Sequence, residues 1–237
     1  MDTRDPQAAG LAALAGLIAD RTRAACLLAL LDGRAWTAGE LARHARVAAS
    51  TLSEHLGKLV AGGLLTEERQ GRHRYVRLAD ARVAQLIEDL AAQVPAPQAR
   101  PAPRGLRESG AGAAMARGRT CYDHLAGRLG IAVTDALTRR GLLRQDTGFA
   151  LTDAGVEWFG AAGIALDLSG RRPLARACLD WTERRPHLAG AAGAALCAHA
   201  LDAGWCVRIG SQRAVKVTAS GERALSGLLG IPSGALR

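Results

Sequence analysis

The chain is 237 residues long, which suits two domains of ordinary size better than one. Hydrophobic residues make up 49% of the sequence, enough for packed cores, so the composition excludes a wholly disordered protein. Basic residues outnumber acidic ones by 31 to 22, and this net charge of +9 favours a polyanionic partner. No segment approaches the ~20 uninterrupted apolar residues of a membrane helix. The five cysteines form no CxxC pair, which favours a reduced, cytoplasmic setting.

One segment, residues 95–118, is rich in proline, glycine and arginine and divides the sequence. Proline blocks helix continuation and the segment offers little to bury, so it is predicted to be a linker. Residues 1–94 form one predicted domain and residues 119–237 form another. The first holds 12 basic and 11 acidic residues and is nearly neutral, so the positive charge lies mostly in the linker and the second domain.

The first domain is predicted to be mainly helical with one hairpin. Apolar residues recur at helical spacing in four stretches, which are residues 11–18, 24–31, 49–60 and 83–90. Thr37 and Glu40 have the spacing of a capping box, which predicts a further short helix in AGELARHA. The segment LLTEERQGRHRYVRLAD alternates like two strands joined at Gln70-Gly71-Arg72. This order of helices, turn and hairpin is that of a winged helix-turn-helix.

Two stretches of this domain carry a family resemblance, IADRTRAACLLALLDG and TAGELARHARVAASTLSEHLGKLVAGGLLTEERQGRHRYVRLAD. Through an S/T-x-S-x-HL-x-x-L pattern followed by GLL and R-x-G-R-x-x-Y, residues 8–92 resemble ArsR-type (ArsR/SmtB) transcriptional regulators. The resemblance implies operator binding by a homodimer, whose seam is formed by the first helix and the helix after the wing. It also implies repression that a ligand relieves.

The polar face of the predicted recognition helix and the tip of the wing supply the candidate DNA-binding residues. These are Ser50, Thr51, Ser53, Glu54, His55, Lys58, Arg69, Arg72 and Arg74. Hydroxyls at the leading end of a helix can reach base edges and phosphates in the major groove, and wing arginines can reach phosphates beside it. The alternative is a winged helix that binds a protein and whose polar face is only solvated.

The seam of the implied homodimer would be apolar. The candidates are Leu11, Leu14, Leu17, Leu86, Ile87 and Leu90, although the same residues can instead cover the core of their own domain.

The metal sites of many ArsR-type relatives are absent from the corresponding stretches of this sequence. The helix before the recognition helix reads ELARHAR and contains no cysteine, and the helix after the wing reads ARVAQLIEDL and contains no histidine. Cys26 lies on the apolar stripe of the second helix and is predicted to be a core residue. Any sensor site is therefore expected elsewhere in the chain.

The second domain contains an internal repeat, with units at 119–160 and 176–230. The motif HLAGxxG occurs at His124 and again 63 residues later at His187, and a T-x-x-G motif occurs at Thr152 and at Thr218. Each unit is predicted to be a helix, a second helix, a short hairpin and a helix capped by its threonine, which is winged-helix-like. Two such units can pack against each other with pseudo-two-fold symmetry.

A Cys-x-Asp pattern precedes each HLAG and supplies the candidate effector or metal site. Its members are Cys121, Asp123, His124, Cys178 and His187. Cysteine and histidine at i and i+3 share a helix face, and two such pairs can complete a tetrahedral metal site if the two units pack face to face. The alternative is that these cysteines are small core residues and that each histidine caps a helix. The aromatic residues near the repeats are expected to fill the core or to line a small-molecule pocket.

The sequence thus predicts a mainly α protein with small β-hairpin wings. We expect a cytoplasmic, homodimeric regulator that binds double-stranded operator DNA, with a small-molecule, metal or redox signal sensed in the second domain. The alternative is an architectural or partner-binding protein of tandem winged helices without an effector. The sequence has no GxSxG, HExxH or phosphate-binding glycine loop and is not expected to be an enzyme, although the Cys121/His124 pair could act as nucleophile and base.

Overall fold

The computed structural model describes residues 5–70, 73–95, 106–146, 148–210 and 213–236. The chain divides into two compact units, the first ending at Ile87 and the second beginning at Glu88. Helices dominate, and the strands described form small antiparallel sheets, so the predicted fold class is confirmed. Within the described ranges, no helix has the length and apolarity needed to cross a bilayer.

The first unit is a winged helix-turn-helix. Its elements are α1 (Pro6–Ile18), α2 (Arg21–Leu30), β1 (Trp36–Thr37), α3 (Ala38–Ala45), α4 (Ala49–Ala61), β2 (Leu65–Gln70), β3 (His73–Leu78) and the start of α5 (Ala81–Gln93). The three strands form an antiparallel sheet in the order β1-β3-β2, in which β2 and β3 are the wing.

Local sequence signals explain how α3 and α4 form. The predicted capping box is present, because the Thr37 side chain accepts from the backbone N–H of Glu40 while the Glu40 carboxylate accepts from the backbone N–H of Thr37. Arg46 ends α3 in the left-handed conformation (φ 58°), which makes the sharp turn into α4. Cys26 is fully buried, as predicted. The apolar face of α4 is also buried, through Leu52, Leu56 and Leu59.

The second unit begins inside α5 and continues with helices and two-stranded hairpins. Its further elements are α6 (Leu106–Arg117), β4 (Arg119–Cys121), β5 (His124–Ala126), α7 (Gly127–Arg139), β6 (Leu143–Arg144), β7 (Ala150–Leu151), α8 (Asp153–Ala161), β8 (Arg176–Leu179), β9 (Pro186–Ala189), α9 (Gly190–Asp202), β10 (Cys206–Arg208), β11 (Val215–Val217) and α10 (Ala219–Leu229). The four hairpins pair β4 with β5, β6 with β7, β8 with β9 and β10 with β11.

The segment predicted as a linker contains a helix. Residues 96–105 lie outside the described ranges, but α6 occupies most of the rest, and its last turn buries Met115 and Ala116. The stretch GAGAAMAR is rich in alanine, the strongest helix former, and two buried side chains are enough to dock it.

The internal repeat is visible in the structure as hairpin, helix, hairpin and helix, twice over. The prediction of a helix at the start of each repeat is wrong, because a hairpin occupies that place. The T-x-x-G motifs act alike: Thr152 accepts from Gly155 N at 3.0 Å, and Thr218 accepts from Gly221 N at 3.1 Å. Each threonine caps the N-terminus of its helix.

The core of the second unit is filled from both repeats. Phe159 and Trp205 are buried in it, and Trp158 packs against it. These aromatic residues therefore fill the core, which was one of the two roles expected for them. Cys197 and Cys206 lie in the same core, as their apolar neighbours predicted.

Candidate functional site

The polar face of α4 is open to solvent in the first unit. The exposed candidates are Ser50, Thr51, Ser53, Glu54 and Lys58. His55 differs from them, since it is half-buried and its Nδ1 lies 3.5 Å from Asp20 Oδ1 and 3.4 Å from a guanidinium nitrogen of Arg23. These contacts tie α4 to α2, which is a structural role for His55.

The wing presents its arginines unequally. Arg69 is exposed, whereas Arg74 is half-buried and donates from Nε to Glu67 Oε2 at 2.6 Å. Arg72 lies outside the described residues. Of these two candidates, Arg69 is the one whose charge faces solvent.

The second unit brings four of the five predicted sensor residues together. Cys121, His124, Cys178 and His187 are all buried, and their ligand atoms lie within 4.8 Å of one another. We call these four residues the Cys/His cluster. The two Sγ atoms are 3.9 Å apart and the two histidine Nε2 atoms are 3.1 Å apart.

Each Cys–His pair is held by a β-hairpin. Cys121 and His124 are register partners across β4 and β5, and Cys178 and His187 are register partners across β8 and β9. The expectation that Cys121 and His124 share a helix face is therefore wrong, and neither histidine caps a helix. Tyr122 adopts the left-handed conformation (φ 58°), which closes the tight turn between the first pair.

The repeated HLAGxxG motif brings the two hairpins together. A Cβ on Gly130 would lie 2.4 Å from Leu125 O and 3.6 Å from His187 Cβ, while a Cβ on Gly193 would lie 2.5 Å from Leu188 O and 3.2 Å from His124 Cβ. The second glycine of each motif thus leaves room for its own hairpin and for the histidine of the other repeat. The close approach of the two imidazoles depends on the missing side chain at both glycines.

A carboxylate lies beside the Nδ1 atom of each histidine. His124 Nδ1 is 3.2 Å from Asp123 Oδ1, and His187 Nδ1 is 3.4 Å from Asp180 Oδ2. A carboxylate at Nδ1 favours the tautomer with its proton there, which leaves a lone pair on Nε2. The two Nε2 atoms face each other at 3.1 Å, so one ring can donate a proton to the other; with both Nε2 atoms unprotonated, the same two lone pairs can bind a cation.

The surroundings of the cluster shift the pKa values of three of its side chains. The pKa of the Cys178 thiol is lowered, chiefly by the Cys121 thiol and further by both imidazoles, against the effect of burial. The pKa of Cys121 is raised by Cys178, by burial and by the negative charge of Glu88. Burial lowers the pKa of His124, but hydrogen bonds to Asp123 and Cys178 outweigh it, so the pKa is raised. The cluster thus favours a thiolate at Cys178.

The sulfur–sulfur and nitrogen–nitrogen separations are close to those of one tetrahedral metal ion. With M–S bonds of about 2.3 Å and M–N bonds of about 2.0–2.1 Å, such an ion separates its two sulfurs by about 3.8 Å and its two nitrogens by about 3.3 Å. The observed separations are 3.9 Å and 3.1 Å. Two thiolates and two imidazoles are the ligand set that zinc and related borderline or soft ions prefer.

The surroundings of the cluster include charged residues that the sequence did not single out. Asp180 and Arg119 are fully buried and Glu88 is 1% exposed. The Cys-x-Asp pattern contained Asp180, but nothing in the sequence marked Arg119 and Glu88, since arginine and glutamate usually lie in solvent.

Helix-turn-helix geometry and sequence comparison agree on the class of protein. A helix-turn-helix domain family matches residues 18–68, from the end of α1 into β2. The first unit is therefore the DNA-binding domain of a transcriptional regulator.

Most of the chain is similar to one regulator along nearly the whole length of that regulator. It is 41% identical over 217 residues to the uncharacterized HTH-type transcriptional regulator YdfF of Bacillus subtilis (strain 168), covering 90% of this chain and 94% of that relative. The chain belongs to the family of HTH-type transcriptional regulators, which confirms the resemblance carried by residues 8–92.

Shorter relatives match a smaller part of the chain. The HTH-type transcriptional regulator CmtR of Mycobacterium bovis is 37% identical over 90 residues, which is 38% of this chain and 75% of CmtR. The NMR structure of the cadmium metal-sensor CMTR from Mycobacterium tuberculosis is 35% identical, covers 39% of this chain and 99% of its own, and has a TM-score of 0.31. Similarity to YdfF, in contrast, extends through most of the second unit.

Proposed function

We propose that this regulator is a homodimeric repressor whose affinity for operator DNA is controlled by a metal ion bound at the Cys/His cluster. The observation that carries the proposal is the convergence of two sulfurs and two Nε2 atoms within 4.8 Å of one another inside a buried site. The lowered pKa of the Cys178 thiol supports it, because a thiolate attracts a cation. The ligand set points to Zn²⁺ or a neighbouring ion that accepts sulfur and nitrogen.

The DNA-binding part of the proposal rests on the exposed face of α4 and on Arg69. Hydroxyl groups of Ser50, Thr51 and Ser53 stand at the leading half of α4, where a helix meets base edges and phosphates in the major groove.

The homodimer rests on apolar side chains that the chain leaves in solvent. Leu11 in α1 is 67% exposed and Leu90 in α5 is 43% exposed, so each of these apolar side chains is available to a second copy of the chain. Ile87, also a seam candidate, is only 4% exposed and covers its own core instead.

The test measures metal content and operator binding on the same preparation. Full-length protein purified without a metal-affinity tag is analysed for bound metals, and its binding to its own promoter DNA is followed by fluorescence anisotropy with Zn²⁺ and with a chelator. We expect one ion per chain and a change in DNA affinity of about 5–150-fold, the usual range of allosteric coupling. Cys178→Ser should lose both, while Cys197→Ser, a core cysteine outside the cluster, should keep both.

Sequence-selective DNA binding that is indifferent to metal and chelator would instead favour an architectural protein without an effector. Absence of any sequence-selective, salt-sensitive binding would contradict the regulator itself.

A redox switch is a second candidate, because the Cys121 and Cys178 Sγ atoms are only 3.9 Å apart. A disulfide requires an approach to about 2.05 Å, which two facing hairpins can make by a small shift. Diamide treatment of the metal-free protein distinguishes the two functions: a redox switch changes DNA affinity through a Cys121–Cys178 bond, whereas a metal sensor loses metal binding and gains no new DNA response.

A further inference from the structure

The two sides of the Cys/His cluster differ in burial, although the repeat makes them equivalent in sequence. Asp123 and Asp180 occupy the same place in the two Cys-x-Asp patterns, and each pairs with an arginine. Arg172, the partner of Asp123, has a 42% exposed side chain, whereas Arg119, the partner of Asp180, is 0% exposed. The cluster therefore has one side toward solvent and one side enclosed by protein.

Burial of Arg119 is not a requirement of the repeat. Arg119 is the register partner of Ala126, and its equivalent Arg176 is the register partner of Ala189, yet Arg176 is exposed. A buried arginine is costly unless its donors are all used. Something specific to the first repeat keeps Arg119 inside.

The buried guanidinium of Arg119 joins two carboxylates. Its Nε donates to Glu88 Oε1 at 3.1 Å and one of its terminal nitrogens donates to Asp180 Oδ2 at 3.1 Å. The other terminal nitrogen donates to Thr182 Oγ1 and to the Met115 carbonyl. Every nitrogen of the guanidinium is thus engaged, and the group has one defined position.

Asp180 extends this network to a metal-ligand candidate. Its Oδ2 lies 3.4 Å from His187 Nδ1 and also accepts from the backbone N–H of Gly127 at 2.7 Å. His187 Nδ1 is buried and has no hydrogen-bond partner among the described residues, so Asp180 is the group that sets the orientation of this imidazole.

At its other end the network reaches α5. Glu88 Oε1 accepts from Trp181 Nε1 at 2.9 Å and from Arg213 at 2.8 Å, in addition to Arg119. Glu88 lies in the middle of α5, the helix that follows the wing in the chain. The path from His187 through Asp180 and Arg119 to Glu88 consists of direct contacts, and all four side chains are buried.

We infer that Arg119 is a positioning residue that couples occupancy of the Cys/His cluster to α5, through Asp180 on one side and Glu88 on the other. The inference rests on the proposed function, since it requires that a metal ion bind at the cluster. A bound ion fixes the His187 imidazole and adds positive charge beside Asp180. The added charge changes the electrostatic attraction between Asp180 and Arg119. Because the network is buried, the change also alters the interaction of Arg119 with Glu88.

The test separates metal binding from its effect on DNA. Glu88→Gln keeps the shape of the side chain and removes the charge that Arg119 meets on α5. Glu88 is not one of the four donors, but its carboxylate also hydrogen-bonds to the Cys121 side chain, so the metal affinity of this variant is measured in its own right. Wild type, Glu88→Gln and the control Glu157→Gln, an exposed glutamate on α8, are compared as full-length chains. For each, Zn²⁺ stoichiometry and affinity are measured by competition with a chromogenic chelator, and operator affinity is measured with and without Zn²⁺.

We expect Glu88→Gln to bind one Zn²⁺ with an affinity within about tenfold of wild type, while the ratio of its DNA affinities with and without Zn²⁺ falls to about one. Glu157→Gln should keep the wild-type ratio. A merely structural role of Glu88 would lower the thermal midpoint and leave the ratio unchanged in the folded protein, and that result overturns the inference.

A second variant covers the case in which Glu88→Gln does not fold. Trp181→Phe removes one hydrogen-bond donor to Glu88 and keeps every charge, so it should reduce the ratio partially; a ratio equal to that of wild type in this variant also overturns the inference. Failure of the proposed function is recognised separately, because wild type itself would then bind no Zn²⁺ or show no DNA response to it.

Discussion

The Nε2 atoms of His124 and His187 face each other at 3.1 Å, each on an imidazole whose Nδ1 lies beside an aspartate. This places two ring nitrogens at one buried point next to two sulfurs. A proton can bridge the two rings, whereas a metal ion could bind the nitrogens and the sulfurs together. The cation proposed above rests on this choice of donors.

The aspartate beside His187 should control metal affinity without being a ligand. Asp180→Asn removes the charge that orients the imidazole, and loss of such an outer partner typically lowers metal affinity about 10–100-fold. Stoichiometry should stay at one ion per chain in a chelator competition assay. Asp202→Asn, an exposed change at the end of α9, is the control, and equal affinities in the two variants would contradict the orienting role.

The glycines of the HLAGxxG motifs should be intolerant of a single methyl group. Gly193→Ala places a Cβ 2.5 Å from a backbone oxygen and 3.2 Å from His124 Cβ. We expect overpacking to cost about 1–3 kcal/mol of unfolding free energy and to weaken metal binding.

Gly160→Ala supplies the matched control in the same unit. No atom of the described residues lies within 4 Å of a Cβ at this position of α8, so the change should stabilise the helix by about 0.5–1 kcal/mol. Chemical denaturation of both variants measures the difference, and destabilisation of equal size would contradict the steric argument.

Arg69 and Arg74, the two described wing arginines that the sequence predicts to bind DNA, should contribute differently to DNA binding. Arg69→Ala removes an exposed charge and should weaken binding to all sequences while reducing the salt slope by about one. Arg74 is already paired with Glu67, so Arg74→Ala should change the slope less. Operator titrations at several salt concentrations check this, and a larger slope change for Arg74 would show that the wing rearranges on DNA.

Acid should loosen the first helix of the helix-turn-helix through Glu40. The backbone N–H of Thr37 donates to Glu40 Oε2, which lowers the pKa of this carboxyl from its usual value of 4.5. Because the folded pKa is the lower one, the stabilisation is present above about pH 4.5 and is lost as the pH falls through the folded value.

A charge at a helix N-terminus is worth about 0.3–1 kcal/mol, so amide protection in α3 should fall about two- to fivefold on acidification. Glu40→Gln should show the lower protection at all pH values. Hydrogen exchange of the α3 amides measures both, and a variant that retains the acid-dependent step would assign that step to another group.

Much of the candidate site could be predicted from the internal repeat. The HLAGxxG motif occurs twice at an offset of 63, which predicts equivalent positions for His124 and His187. It did not reveal that Cys121 and His124 face each other across a hairpin. Two residues at spacing i and i+3 fit a helix equally well. The deciding feature is the left-handed backbone of Tyr122, a conformation that few residues other than glycine adopt and that no local sequence pattern predicts.

Arg119 and Glu88 escaped prediction for a different reason. Their partners are 61 and 31 residues away in the chain, and charged side chains at such separations look like solvated surface until the fold encloses them. Elements with strong local signals, such as the capping box at Thr37 and the T-x-x-G caps, were predictable because a few neighbouring residues determine them.

Each repeat of the second unit carries one cysteine and one histidine of the Cys/His cluster, so each supplies half of its donors. In a dimer of identical chains the two halves of such a cluster would have the same sequence. Two repeats within one chain can differ in sequence. The contrast between Arg119, enclosed beside Glu88, and Arg176, left in solvent, is such a difference.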